Sequence, residues 1–271
     1  MLSDIVKWNP KKRIIKVIIP YVIWSVIYVL IHNYKEPSQI LKNFIIGLIT
    51  ANSAAIMYFI LVYCQFTLLI PFIDRLAKSK YMWAGFIISP LEIVIMRIIP
   101  LISGIEMNPY IWAIRHVSCL GWFTYFYMGY VLGRGIPTNS GKITTPKLTM
   151  MYIISLLLQI IEGYCYLALG EKNCGTQLKL SALLTGMIFV NLAFRYIIDE
   201  KKDSIKIFNI LGNCSFGIYF SHLAVMSVLK KVPYYKNTIF PVNAFIVLLS
   251  CSIFVFVGRR VLGKYAKFFA L

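Results

Sequence analysis

Acidic residues are scarce in this sequence. Only 10 of the 271 residues are Asp or Glu, charged residues of both signs together make up 14%, and there are three histidines. Soluble domains carry about 25% charged residues, so this composition argues against an ordinary soluble enzyme. The six cysteines form no CxxC pair. They therefore favour small buried side chains over a disulfide framework or a zinc site, and we expect no bound metal.

Apolar and basic residues are abundant instead. Hydrophobic residues make up 59% of the chain, and 28 Lys and Arg give a net charge of +18. On a soluble protein such a charge would suggest a nucleic-acid partner. On a chain this apolar it indicates cytoplasmic loops of a multispanning membrane protein, where Lys and Arg set the orientation. We therefore expect the protein to lie in the lipid bilayer and to bind no nucleic acid.

Eight segments approach the roughly 20 apolar residues that a helix needs to cross a bilayer. Loops between them are short, and the sequence contains no repeat of fixed period. The prediction is an all-α, polytopic transmembrane helix bundle of about eight spans, forming a single domain over residues 1–271. The predicted spans are 14–31, 54–73, 81–102, 119–135, 148–169, 178–197, 207–229 and 238–257.

The distribution of Lys and Arg predicts the orientation. With the N-terminus in the cytoplasm, 19 of the 28 cations fall on the inner side, 8 fall on the outer side, and Arg97 lies within the membrane. Positive charge is enriched in cytoplasmic loops. Both termini are therefore predicted to be cytoplasmic, in a multi-pass protein of the cell membrane.

Polar residues within the predicted spans are candidates for a site, because such groups are costly in hydrocarbon. In the seventh span Ser215, Tyr219 and His222 are spaced i, i+4 and i+7, so they share one helix face. Such a face can move protons or orient a hydroxyl acceptor. The alternative is interhelical hydrogen bonding that holds the bundle together.

Other intramembrane polar groups predict a polar interior. Glu162 follows Gln159 by three residues in the fifth span and is either a general base or the partner of a buried cation. Glu92 and Arg97 are five apart in the third span and point to different sides of it. Each therefore needs a partner on another element, which favours a cavity lined by Arg97 and Gln65.

Four segments together resemble the acyltransferase 3 family of integral membrane O-acyltransferases. The most specific is LGNCSFGIYFSH at 211–222, which is similar to the family's SxGIYxxH helix. The others are the basic and aromatic segment 11–28, the aromatic span 57–74 that ends near a proline, and the glycine-punctuated helix 122–134. In their order and spacing they cover nearly the whole chain.

The resemblance implies a reaction in which an acyl group, often acetyl, moves from cytoplasmic acyl-CoA to a hydroxyl of a cell-surface or lipid-linked glycan. Acetyl-CoA is then a co-substrate, and no bound cofactor is implied. The family's Arg-x-x-Arg motif is similar to the stretch from Arg13 to Lys16, which are therefore expected near the donor. Tyr219 and His222 are expected on the acceptor side, with Glu162 as a further catalytic candidate.

One part of the family pattern has no counterpart here. Family members carry, in their first span, the histidine usually assigned to catalysis, and the resemblance places Met1 after their second span. The domain is therefore expected to be N-terminally incomplete, and the activity of this chain alone is in question. The alternative is a non-catalytic membrane partner or a transporter of a lipid-linked glycan or small metabolite, with intramembrane charges along its pathway.

Overall fold

The structure, a computed structural model, describes residues 8–105, 108–135, 143–171, 174–199 and 204–271. Within these ranges every regular element is helical and none is a strand, which confirms the all-α prediction. A helix satisfies all its backbone hydrogen bonds internally, as an apolar surrounding requires. The α-helices are α1 (Pro10–Asn33), α2 (Ile40–Thr50), α3 (Tyr58–Ala77), α4 (Ile88–Ile93), α5 (Ile99–Ser103), α6 (Pro109–Val117), α7 (Phe123–Gly133), α8 (Thr145–Ala168), α9 (Leu180–Asp199), α10 (Ser204–Leu229), α11 (Pro233–Lys236) and α12 (Val242–Leu262).

Four helical segments are long and apolar enough to cross a membrane. They are Pro10–Asn33, Tyr58–Ala77, Thr145–Ala168 and Val242–Phe269, and each coincides with a predicted span. Helices α9 and α10, of 20 and 26 residues, occupy two further predicted spans. The protein is therefore a multi-pass membrane protein.

The two remaining predicted spans are not single long helices. The segment 81–102 consists of a 3-10 helix (Met82–Phe86), then α4 and α5 separated by a π-helical turn (Val94–Ile98). In 119–135 a 3-10 helix (Leu120–Trp122) precedes the 11-residue α7. Eleven residues extend only about 16 Å, roughly half of the hydrocarbon thickness. Hydrophobicity and length, on which the prediction was based, do not reveal such interruptions.

The chain divides into two compact units, of which the first combines Met1–Thr67 with Lys202–Leu271. In this first unit α1 packs on α2 and on a C-terminal 3-10 helix (Gly263–Phe269), and α10 packs on α12. Asn9 caps α1 by accepting a hydrogen bond from the Lys12 amide at 2.9 Å. A buried stripe of α1, spaced as one helix face, forms the core here: Val17, Tyr21, Trp24 and Tyr28.

The second unit is Leu68–Lys201. Here α8 packs on α9, and α7 contacts both α4 and α9. The Ser89 hydroxyl joins α4 to the start of α7, because it donates to the Leu120 carbonyl at 2.7 Å and accepts from the Thr124 amide at 2.9 Å. A glycine at position 85 is required by close packing, since a Cβ there would overlap the ring of Tyr127.

Candidate functional site

Helix α10 places Ser215, Tyr219 and His222 on the wall of one cavity of about 950 Å³. They come together because residues three, four and seven apart on an α-helix share a face. The rest of this His222 cavity comes from α12 and from the segment around α11. Lys230 and Lys236 are among its lining residues.

The imidazole of His222 has a defined tautomer. Its Nδ1 lies 2.8 Å from the Tyr219 carbonyl and 3.2 Å from the Ile218 carbonyl of its own helix. A carbonyl oxygen only accepts hydrogen bonds, so Nδ1 must carry the hydrogen. In the neutral ring Nε2 then holds the lone pair and is the nitrogen that can accept a proton.

The hydroxyls of Tyr219 and Ser215 donate to backbone carbonyls. Tyr219 donates to the Ile56 carbonyl, on the segment that precedes α3. Ser215 donates to the Gly212 carbonyl at 2.6 Å within α10. These bonds hold the two side chains in place at the cavity wall. Tyr219 thus lines the cavity and also ties α10 to the segment before α3.

A second cavity of about 880 Å³ in the same unit is strongly basic. Arg13 and Lys16 line it, at the start of α1, and Arg259 is held beside them by a 2.6 Å hydrogen bond to the Asn213 carbonyl. Among the described residues of this unit, Glu36 carries the one acidic side chain. The cavity can therefore accommodate a multiply charged anion. Its cationic lining residues are Lys11, Lys12, Arg13, Lys16, Arg259 and Lys267.

A third cavity, of about 440 Å³, adjoins both of these. It shares Val17, Tyr63 and Phe216 with the basic cavity, and Ser215 and Tyr219 with the His222 cavity. Apolar side chains form most of its wall. The three cavities thus adjoin in the order basic, apolar and His222-lined, all within the first unit.

In the second unit, Arg97 and Glu162 are linked through Tyr166. The Arg97 side chain is 6% exposed, donates to the Leu178 carbonyl at 2.8 Å, and has its guanidinium carbon 4.3 Å from the centre of the Tyr166 ring. The Tyr166 hydroxyl donates to Glu162 at 3.0 Å. Glu171 lies 3.9 Å from Arg97. Arg97 belongs to the π-helical turn that separates α4 from α5.

Glu162 belongs to α8, and its side chain caps the N-terminal end of α9. Its carboxylate accepts from the amides of Leu180 at 3.1 Å and Ser181 at 2.8 Å, and from the Ser181 hydroxyl. A carboxylate at a helix N-terminus satisfies free N–H groups and faces the positive end of the helix dipole. This arrangement explains the position of Glu162 through helix capping. Glu162 does not line any of the three cavities.

Glu92 and Arg97 have partners on different elements, as the five-residue spacing predicted. Glu92 accepts from Arg115 of α6 at 2.8 Å, with side chains only 8% and 13% exposed. Gln65 lies half-buried on α3 in the first unit and is not one of the residues lining the three cavities. The structure therefore places Arg97 in a packed ionic cluster of the second unit, whereas Gln65 belongs to the first unit.

Several residues of the two polar cavities were not identified from the sequence. Lys230 follows His222 by eight residues, so continuing the helix face would have found it. Arg259 and Lys267 are distant in sequence from Arg13, and no local pattern signals their approach. Among the described residues no group of three His, Cys, Asp or Glu side chains is placed to hold a metal ion.

The fold and site define an integral membrane protein with a basic cavity and a histidine-lined cavity that both adjoin a third, mostly apolar one. A family model described as an acyltransferase domain matches residues 11–258. The chain therefore belongs to the acyltransferase 3 family, and it is a membrane acyltransferase. No curated protein and no solved structure matches the chain.

Proposed function

We propose that this protein transfers an acyl group, in the first instance acetyl, from cytoplasmic acyl-CoA to a hydroxyl of a cell-surface or lipid-linked glycan. The observation that carries the proposal is the row of three adjoining cavities, of which the first is lined by six cationic side chains and the last by His222. An acyl-CoA has a matching polarity along its length, with phosphates at one end, a narrow arm, and a thioester at the other end.

The basic cavity receives the phosphates of the donor in this proposal. Arg13 and Lys16 are two of its six cations, and none of the described residues that line it is an Asp or a Glu. Hydrogen bonds between cationic side chains and phosphate are about twice as strong as neutral ones. Lys16 acts as a point charge where the family motif has an arginine, and Arg13 and Arg259 supply the guanidinium groups for bidentate contacts.

The reaction takes place in the His222 cavity. Nε2 of the neutral imidazole removes the proton from the acceptor hydroxyl while the hydroxyl oxygen attacks the thioester carbonyl. The carbon–sulfur bond then breaks, the acyl group remains on the acceptor oxygen, and the thiolate of CoA leaves and takes up the proton. Tyr219, fixed by its bond to Ile56, forms the wall against which the thioester lies.

The proposed orientation places the basic cavity on the cytoplasmic side of the cell membrane. Asn243 lines the His222 cavity and Arg259 lines the basic one, and both lie on α12. At 1.5 Å per residue they are about 24 Å apart, most of the thickness of the hydrocarbon core. Donor and acceptor therefore approach from opposite sides, in a bundle of about eight spans with both termini in the cytoplasm.

Acetyl transfer by the purified full chain in nanodiscs, with labelled acetyl-CoA and a glycan acceptor, tests the proposal. We expect His222→Gln to abolish transfer, and the control His32→Gln, at an exposed histidine of α1, to leave it unchanged. Arg13→Gln is expected to raise KM for the donor roughly tenfold through loss of a charge-assisted bond. Lys264→Gln, at an exposed position of the C-terminal 3-10 helix, is its control. Full activity of His222→Gln would refute the role of His222.

A further inference from the structure

Two lysines lie in the same cavity as His222. Lys230 comes at the end of α10, and Lys236 ends α11; both are exposed side chains that line the cavity. Tyr235, Thr238 and Asn243 supply the other polar groups beside them. Among the described residues that line this cavity there is no Asp or Glu.

The position of Lys230 relative to His222 follows from helix α10. His222, Met226 and Lys230 are spaced i, i+4 and i+8 and all three line the cavity. The backbone at Lys230 continues the helix, since its amide donates to the Met226 carbonyl at 2.9 Å. Lys230 therefore lies about 12 Å from His222 along the axis. A ligand with a hydroxyl at His222 can reach the lysines with a group one or two sugar units away.

No acidic side chain in the described part of the chain pairs with either lysine. None of the ion pairs found among the described residues involves Lys230 or Lys236, and all of these pairs lie in the second unit. In the described part of the first unit the one acidic side chain is Glu36, at the other end of the sequence. Two exposed lysines with no acidic side chain beside them form a positive patch, which attracts anionic ligands.

We infer that the acceptor is anionic. The inference rests on the proposed function of the His222 cavity and narrows its substrate class. The acceptor hydroxyl belongs to a sugar that carries, within about two residues of the reacting unit, a phosphate or a carboxylate that binds Lys230 and Lys236. A neutral glycan would form no charge-assisted hydrogen bond with either ammonium group.

Equilibrium binding without a donor tests this inference independently of the reaction. The probes are a neutral hexose disaccharide, the same disaccharide with a 1-phosphate, and the same disaccharide with a hexuronate in place of one hexose. They are titrated against the purified full chain in neutral nanodiscs at low and high salt. The variants are Lys230→Gln with Lys236→Gln, both lysines changed to Arg, and Lys231→Gln. Lys231 is the matched control, since it is an exposed neighbour that does not line the cavity.

The expected result is at least tenfold tighter binding of one or both anionic probes than of the neutral probe, as one or two charge-assisted bonds would give. This preference should vanish in the double Gln variant, persist in the double Arg variant and in Lys231→Gln, and weaken at high salt. Preference for the phosphate or the uronate identifies which anion the site takes.

Equal binding of all three probes, no binding of any, or the same loss in Lys231→Gln would overturn the inference. Failure of the proposed function is a separate result. If acetyl transfer survived in His222→Gln while the anionic preference still depended on Lys230 and Lys236, the cavity would bind an anion without performing the reaction as proposed.

Discussion

The buried ion pair of Glu92 and Arg115 permits a quantitative test of the packing of the second unit. Its two side chains are 8% and 13% exposed and are joined by a single 2.8 Å bond. Glu92 Oε2 and one terminal guanidinium nitrogen of Arg115 have no hydrogen-bond partner in the described structure. The single bond thus replaces only some of the hydrogen bonds to water that the two groups lost on burial.

Removing one partner leaves a buried charge without compensation. We expect Arg115→Met to lower the free energy of unfolding by about 3–5 kcal/mol, because Glu92 then remains charged and buried. Glu92→Leu should cost somewhat less, since Arg115 is the more exposed partner. Replacing both, as Glu92→Leu with Arg115→Met, should bring stability back to within about 1 kcal/mol of the native chain, since apolar substitutes for buried pairs are often neutral or stabilising.

Thermal and denaturant unfolding of the detergent-solubilised native chain, the two single variants and the double variant gives the coupling free energy of this cycle. A coupling of several kcal/mol is expected. The reasoning would be refuted by single variants that each cost less than about 1 kcal/mol and add up in the double variant, because the pair would then behave as a solvated one.

Two further predictions concern packing and pH. Gly217→Ala should destabilise the first unit by about 1–3 kcal/mol, because the new Cβ would lie 2.7 Å from a methyl group of Val255; the measurement is the denaturant midpoint. Burial lowers the pKa of His116, on α6, below its usual value of 6.5. The folded state therefore disfavours the protonated form of His116. The stability of the protein is unaffected by this group above pH 6.5 and decreases as the pH falls below 6.5, and unfolding followed between pH 8 and 5 measures this decrease.

Each of these predictions has a control in the chain. Gly212→Ala, also on α10, meets no atom within 4 Å and should be neutral or stabilising by up to about 1 kcal/mol. Equal effects at Gly212 and Gly217 would mean that helix propensity, and not packing, determines the result. For the pH dependence, His116→Gln should flatten the slope below pH 6.5, and an unchanged slope would assign it to other groups.

Helix α10 shows which features of the site could be predicted from the sequence. The spacing of Ser215, Tyr219 and His222 was sufficient to place them on one face, because the period of an α-helix is fixed by its backbone. The need of Glu92 and Arg97 for partners also followed from spacing and from the cost of buried charge. Which residues those partners are did not follow, since Arg115 and Glu171 approach only through packing.

Sequence alone thus determined the helical class and the apolar segments, because hydrophobicity and helical period are local properties. It also indicated the acyltransferase 3 family, through the resemblance of four segments to that family. Tertiary structure decided what surrounds each polar group. It placed Glu162 at the start of α9 and brought Arg259 beside the start of α1. It also broke two predicted spans into shorter helices. The scarcity of acidic residues also has a structural consequence. Glu36 is the one acidic side chain in the described part of the first unit, and none of the described residues that line its basic cavity or its His222 cavity is an Asp or a Glu, because packing brought only cationic, neutral polar and apolar residues to those walls.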